Sequence, residues 1–154
     1  MNKSRRDFIE RAAGVGALAV ASTAGLLESG QAWAAWNKAG FESKGIVAVL
    51  KSLGASDAAE SKDIAITAPD IAENGAIVPV AVTSRIPNTE QISIVAEKNP
   101  FPLAATFNLA SGGDGYVSTR LKMGQTSDVW AVVKAGGRYY VAKKEIKITV
   151  GGCG

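Results

Sequence analysis

Cys153 is the only cysteine among 154 residues, and it stands in the run Gly151-Gly152-Cys153-Gly154. A thiol can form and break sulfur–sulfur bonds reversibly, which no oxygen nucleophile can do. Buried cysteines behave as small hydrophobes, but this one is attached to no core segment. The glycines beside it remove side-chain bulk and leave the backbone torsions free. Four extended residues reach roughly 13 Å at about 3.3 Å each. That is enough to carry a sulfur off the body of a domain and into a narrow pocket on another protein. The layout predicts a flexible C-terminal arm, residues 151–154, with a reactive tip. The terminal carboxylate expected on Gly154 disfavours the thiolate, and the arm holds no cation to offset it. Activation of the thiol is therefore expected from a partner's site. The structural alternative is an intermolecular disulfide that joins two chains as a Cys153-linked dimer. Prenylation does not fit, because the cysteine is not fourth from the end.

The chain contains no histidine. Ser–His and Cys–His nucleophile pairs are thus excluded, as is any histidine-ligated metal. A single cysteine makes neither an internal disulfide nor a thiolate cage. The expectation is a protein without metal or cofactor, and not an enzyme by itself. The net charge is +3, and the Lys and Arg residues are scattered with no basic run, so nucleic acid is not an expected partner. With 47% hydrophobic and 20% charged residues, the chain can bury the core of one domain. The glycine-rich stretches lack the strand-to-helix setting of a phosphate loop.

The N-terminus reads as an address. Arg5 and Arg6 precede Phe8 and Ile9, and an Ala- and Gly-rich apolar stretch covers residues 12–27. That stretch is too short and too mildly hydrophobic for a membrane span. Ala32 and Ala34 then supply the small residues that specify cleavage. Residues 1–34 are expected to be a twin-arginine signal peptide, which makes the mature protein periplasmic with no membrane attachment. This route exports proteins already folded. With no cofactor ligands evident, a partner subunit that folds onto the chain before export is the expected reason.

The elements that must position the arm occupy residues 35–150. A short helix is expected over residues 43–53, where Ile46, Val47 and Leu50 share a face and Gly54 stops the helix. Trp36 and Phe41 are expected to lie over the core. The period then changes from helical to alternating. Ile64 and Ile66 mark one strand, and residues 69–75 read as a turn. Val78, Val80 and Val82 mark a strand in which Pro79 points to an edge or a bulge. Ile92 with Ile94, the series Leu103, Ala105, Phe107 and Leu109, and the series Val117, Thr119 and Leu121 mark others. Residues 99–102 form a loop stiffened by Pro100 and Pro102, and residues 112–115 turn the chain. Val129, Ala131 and Val133 lead to Gly136-Gly137, a strong hairpin signal before residues 139–141. Ile146, Ile148 and Val150 close the domain directly before the arm. About seven short strands joined by Gly and Pro turns predict a mainly β fold, an immunoglobulin-like antiparallel β-sandwich. The Cys-Trp-Cys hallmark of antibody domains is absent.

Val150-Gly151-Gly152-Cys153-Gly154 resembles the terminal signature of the SoxY family. So do Tyr140-Val141-Ala142, residues 144–149, residues 124–129, Glu73-Asn74-Gly75-Ala76 with Val78-Pro79-Val80, and residues 99–107. The likeness covers nearly the whole chain, twin-arginine leader included. It implies a sulfur carrier that pairs with SoxZ, a second small immunoglobulin-like protein without its own export signal. It implies that thiosulfate is joined oxidatively to Cys153 by the haem enzyme SoxAX. The manganese hydrolase SoxB would then release sulfate, and SoxCD would oxidise the remaining sulfur where present. Gly151, Gly152 and Gly154 would supply the flexibility of the arm.

Overall fold

The structure, a computed structural model, describes residues 37–150. The described residues open with two short helices, α1 (Lys38–Glu42) and α2 (Ile46–Leu53). Asn37 caps α1 by accepting from the Gly40 N–H at 2.9 Å, and its amide donates to the Ser52 carbonyl, which ties the two helices together. Gly54 ends α2 in the left-handed region (φ 75°), with its N–H returned to the Leu50 and Lys51 carbonyls. One short helix over residues 43–53 was expected. The structure instead starts the second helix at Ile46 and adds the first, because Asn37 supplies a cap that hydrophobic spacing does not reveal.

Among the described residues nine strands follow: β1 (Ala59–Glu60), β2 (Ile64–Thr67), β3 (Ile71–Asn74), β4 (Val78–Ser84), β5 (Thr89–Ala96), β6 (Leu103–Asn108), β7 (Tyr116–Leu121), β8 (Ser127–Ala135) and β9 (Arg138–Val150). The larger sheet has the order β1-β9-β8-β5-β6, with β3 also paired to β9, and the smaller sheet has the order β2-β4-β7. This is the expected mainly β, immunoglobulin-like sandwich. Two details differ from expectation. The sheets are not purely antiparallel, because β1 and β3 both pair with β9 in parallel. The segment 69–75, read as a turn, contains β3. Two apolar residues between Pro69 and Gly75 are too few to show a period.

Pro79 sits near the start of β4, where β7 flanks it across from Arg120. β2 pairs only with residues from Ala81 to Ser84, so at Pro79 the strand is a local edge and the missing N–H leaves no ladder bond broken. The hairpin between β8 and β9 turns on Gly136 (φ 55°) and Gly137 (φ 74°), the double positive φ that a two-residue hairpin loop demands.

The core has two parts. Between the sheets, Val78, Val80, Val82, Val117 and Leu121 of the smaller sheet meet Ile92, Ile94, Val129, Ala131, Val133 and Ile146 of the larger one. On the outer face of the larger sheet, Val95, Leu103, Val132 and Val141 are covered by Val49 and Leu53 of α2 and by Ala55. Phe41 packs against this second cluster, as expected for a residue lying over the core. At Gly40 the backbone of α1 comes so close to β6 that an added Cβ would lie 3.0 Å from the Leu103 side chain. The larger sheet is therefore buried on both faces at β5 and β8. That explains why their sequences run as near-continuous apolar stretches instead of clean alternation.

Glu90, at the start of β5, holds the far end of the hairpin. Its carboxylate pairs with Lys134 at 3.2 Å and accepts from the Gly137 N–H at 3.4 Å. The hydrogen bond from Lys134 leads in lowering its pKa below the usual carboxylate value; desolvation opposes it, and the Gly137 N–H adds a lesser lowering. A depressed folded-state pKa stabilises above the unfolded value and loses that contribution as pH falls through the folded one. Lys134→Met should therefore weaken the slope of stability against pH below about pH 4.3, measured by urea unfolding. Replacing the fully buried Ile94 with Ala should lower unfolding free energy by about 2–5 kcal/mol in the same experiment.

Candidate functional site

The residues that sequence reasoning assigned to chemistry and targeting all lie outside the described residues. These are Cys153, its neighbours Gly151, Gly152 and Gly154, Arg5 and Arg6 of the export signal, and Ala32 and Ala34 at the cleavage site. Trp36, expected over the core, lies outside them too. What the structure places is the root from which the cysteine segment departs, and that root is β9.

β9 runs for 13 residues, from the hairpin at Arg138 to Val150. Its first part is a central strand, with β8 on one side over the register Ala135↔Arg138 to Ser127↔Ile146 and β1 on the other at Tyr140 and Val141. At Ile146 the β8 ladder stops. The chain does not leave the sheet there. β3 pairs in parallel with the next residues, at Ile71↔Lys147, Ala72↔Ile148 and Asn74↔Val150. Successive strand amides point to opposite sides. The Lys147 N–H accordingly reaches the Asp70 carbonyl at 2.9 Å, and the Ile148 N–H turns the other way to the Thr126 hydroxyl at 2.9 Å. The Thr149 hydroxyl donates to the Glu73 carbonyl at 3.1 Å. The inner face is anchored by Ile146, which is fully buried, with Ile148 packed against the same cluster and Ala72 buried in it.

Both flanks of the root are themselves braced. On the β3 side the Lys144 ammonium donates to the Ala68 carbonyl at 2.6 Å and pairs with Asp70 at 2.9 Å. Asp70 is 87% exposed, so the ion pair itself contributes little. The bond to a main-chain carbonyl is what fixes the approach to β3. On the other side, Asn99 donates to the Lys122 carbonyl at 2.7 Å and accepts from the Gly124 N–H at 3.4 Å. The buried Ser127 hydroxyl accepts from the Lys98 N–H at 3.0 Å. The proline loop expected at residues 99–102 thus holds the segment that presents Thr126.

Sequence reading missed β3, Thr126, Lys144 and Thr149. Polar side chains that bond to main-chain groups far along the chain leave no local pattern, and the only available signal was the unusual length of the last strand. Among the described residues, no group of three or more His, Cys, Asp or Glu is placed to hold a metal ion. Two shallow clefts, of about 360 and 450 Å³, lie beside the first half of β9. One is lined by Asp57, Arg138 and Tyr139 among others, and the second by Glu60, Lys62 and Lys143 among others. Neither includes a residue of the root beyond Lys143. The root is thus a strand end held by β3 on one flank and by the Thr126 hydroxyl on the other, up to the last described residue, Val150.

The family model described as sulfur oxidation protein SoxY matches residues 49–153. The solved structure of the sulfur carrier protein SoxY from Chlorobium limicola f thiosulfatophilum is 41% identical, with a TM-score of 0.60 over 65% of this chain and 87% of that one. A structure of superoxide reductase (neelaredoxin) from Ignicoccus hospitalis is 22% identical with a TM-score of 0.50 over 58% of this chain and 82% of that one, a likeness of fold alone. No curated protein matches the chain in sequence.

Ser127 offers a direct measure of how far the root depends on its brace. Ser127→Ala leaves the Lys98 N–H without its acceptor and should lower unfolding free energy by about 1–3 kcal/mol in a chemical denaturation series.

Proposed function

The chain belongs to the SoxY family of sulfur oxidation proteins, and from that premise we propose that it carries thiosulfate-derived sulfur covalently on Cys153. The observation that carries this reading is the match itself, which extends through residue 153 and so includes the single thiol. The held root of β9 supports it, because a carrier needs a firm base and a reachable tip.

In this role the Cys153 thiol loses its proton and two electrons as its sulfur bonds to the outer sulfur of thiosulfate, giving a cysteine S-thiosulfonate. The electrons pass to a haem enzyme, SoxAX in this system. Water then attacks the sulfonate sulfur and releases sulfate with one proton, leaving a persulfide on the carrier. SoxB would perform this hydrolysis, and SoxCD would oxidise the remaining sulfur where it is present. The carrier supplies no catalysis of its own; it supplies the bonded sulfur and the reach. SoxZ is the partner that would be folded onto the chain before export through the twin-arginine route to the periplasm.

Glycine at 151 and 152 fits this reading because each added Cβ would thicken the segment that an enzyme channel must enclose. A thiol is required because only sulfur–sulfur bonding holds the cargo reversibly.

Cys153→Ser should abolish all sulfur and thiosulfonate additions seen by intact mass spectrometry of protein from thiosulfate-grown cells, with the melting temperature unchanged. A wild-type protein that shows only doubled mass would favour the disulfide-linked dimer instead. Gly152→Val should slow thiosulfate oxidation severalfold and leave thermal stability unchanged; equal rates would remove the steric reason for glycine.

A further inference from the structure

We propose that β3 and Thr126 form a bracket that sets the length of the tether between the sheet and the Cys153 thiol; this rests on the carrier reading above. The β8 ladder ends at Ile146. Were nothing else present, Cys153 would be the seventh residue after the last paired position, Ile146, whereas with pairing through Val150 it is the third. At about 3.3 Å per residue the reach changes from roughly 23 Å to roughly 10 Å.

β3 owes little of its place to apolar burial. Of its four residues only Ala72 is buried, and Ile71 is 59% exposed. It pairs with β9 and with no other described strand. What holds it is a set of directed bonds to the end of β9. The Lys147 N–H bonds to the Asp70 carbonyl, the Thr149 hydroxyl to the Glu73 carbonyl, and the Lys144 ammonium to the Ala68 carbonyl. On the opposite flank the Ile148 N–H bonds to the Thr126 hydroxyl. These contacts fall within residues 144–149, where β9 passes beyond its antiparallel partner. Thr126, Lys144 and Thr149 are positioning residues: they act on the thiol through the chain that leads to it.

A tether longer than the span it serves lowers the effective concentration of its tip roughly as the −3/2 power of length. Lengthening from three to seven residues should reduce delivery to a partner's site by about three- to fourfold. Bond chemistry at the sulfur is unaffected, so a small diffusing reagent should notice nothing.

The test uses the full chain in cells that carry each variant in place of the wild type. Thr126→Val with Thr149→Val removes two bonds at nearly constant shape, and Ala72→Glu forces a charge into the buried position of β3. Thr126→Ser with Thr149→Ser keeps both hydroxyls. A spin label on Cys153, the sole cysteine, should move faster in the valine pair and in the glutamate variant, and as in wild type in the serine pair. Thiosulfate-dependent oxygen uptake per exported protein should fall about three- to fourfold for Ala72→Glu, measurably for the valine pair, and not for the serine pair. Alkylation of Cys153 by iodoacetamide should stay at the wild-type rate. If Ala72→Glu has no melting transition, the valine pair decides. Unchanged label motion, or faster motion with unchanged uptake, overturns the bracket. Wild-type protein that never bears sulfur on Cys153 would bring down the carrier reading itself, an outcome distinct from loaded wild type with indifferent variants.

Discussion

Everything in this molecule turns on the hydrogen-bonding hand-over along β9. A strand in the middle of a sheet must have partners on both sides, yet β9 outruns its antiparallel neighbour β8. The chain meets both demands by exchange of partners. β8 serves β9 as far as Ile146, and β3 and the Thr126 hydroxyl serve it from Lys147 to Val150. Buried main-chain N–H and C=O groups are costly to leave unpaired, so the strand can stay ordered only as far as such partners extend.

This hand-over needs a stiff support, and the larger sheet supplies it by being covered on both faces. Ile92, Ile94, Val129 and Ala131 face the smaller sheet, while Val95, Val132 and Val141 face α2. Each buried valine or isoleucine side chain among them contributes about 1.5–3 kcal/mol. β9 is hydrogen-bonded to the most deeply buried part of the fold through β8, and its own Ile146 lies in the inner core. The two helices are thus structural lids over the outer face. That gives residues 38–53 a role in stability.

The polar contacts near the root share a form: a side chain from one segment bonds to the main chain of a distant one. Lys144 does so to Ala68, Asn99 to Lys122, Thr149 to Glu73, and Thr126 to Ile148. Such bonds contribute about 1 kcal/mol each, far less than the core. Their value is directional. They fix where irregular chain lies, which apolar packing cannot do because it has no preferred direction.

Much was legible in the residues themselves. Alternating apolar residues marked β2, β4, β5, β7 and β8, and Gly136-Gly137 marked the hairpin. Those signals are local: period and turn chemistry are properties of neighbouring residues. Tertiary structure alone decided that both faces of the larger sheet are buried, that residues 71–74 form a strand parallel to β9, and that Thr126 and Lys144 serve the root. The reason is that a hydrogen bond between residues 76 apart in sequence, as from Lys144 to Ala68, leaves no trace in the spacing of either segment. It exists only once the fold has brought the two together.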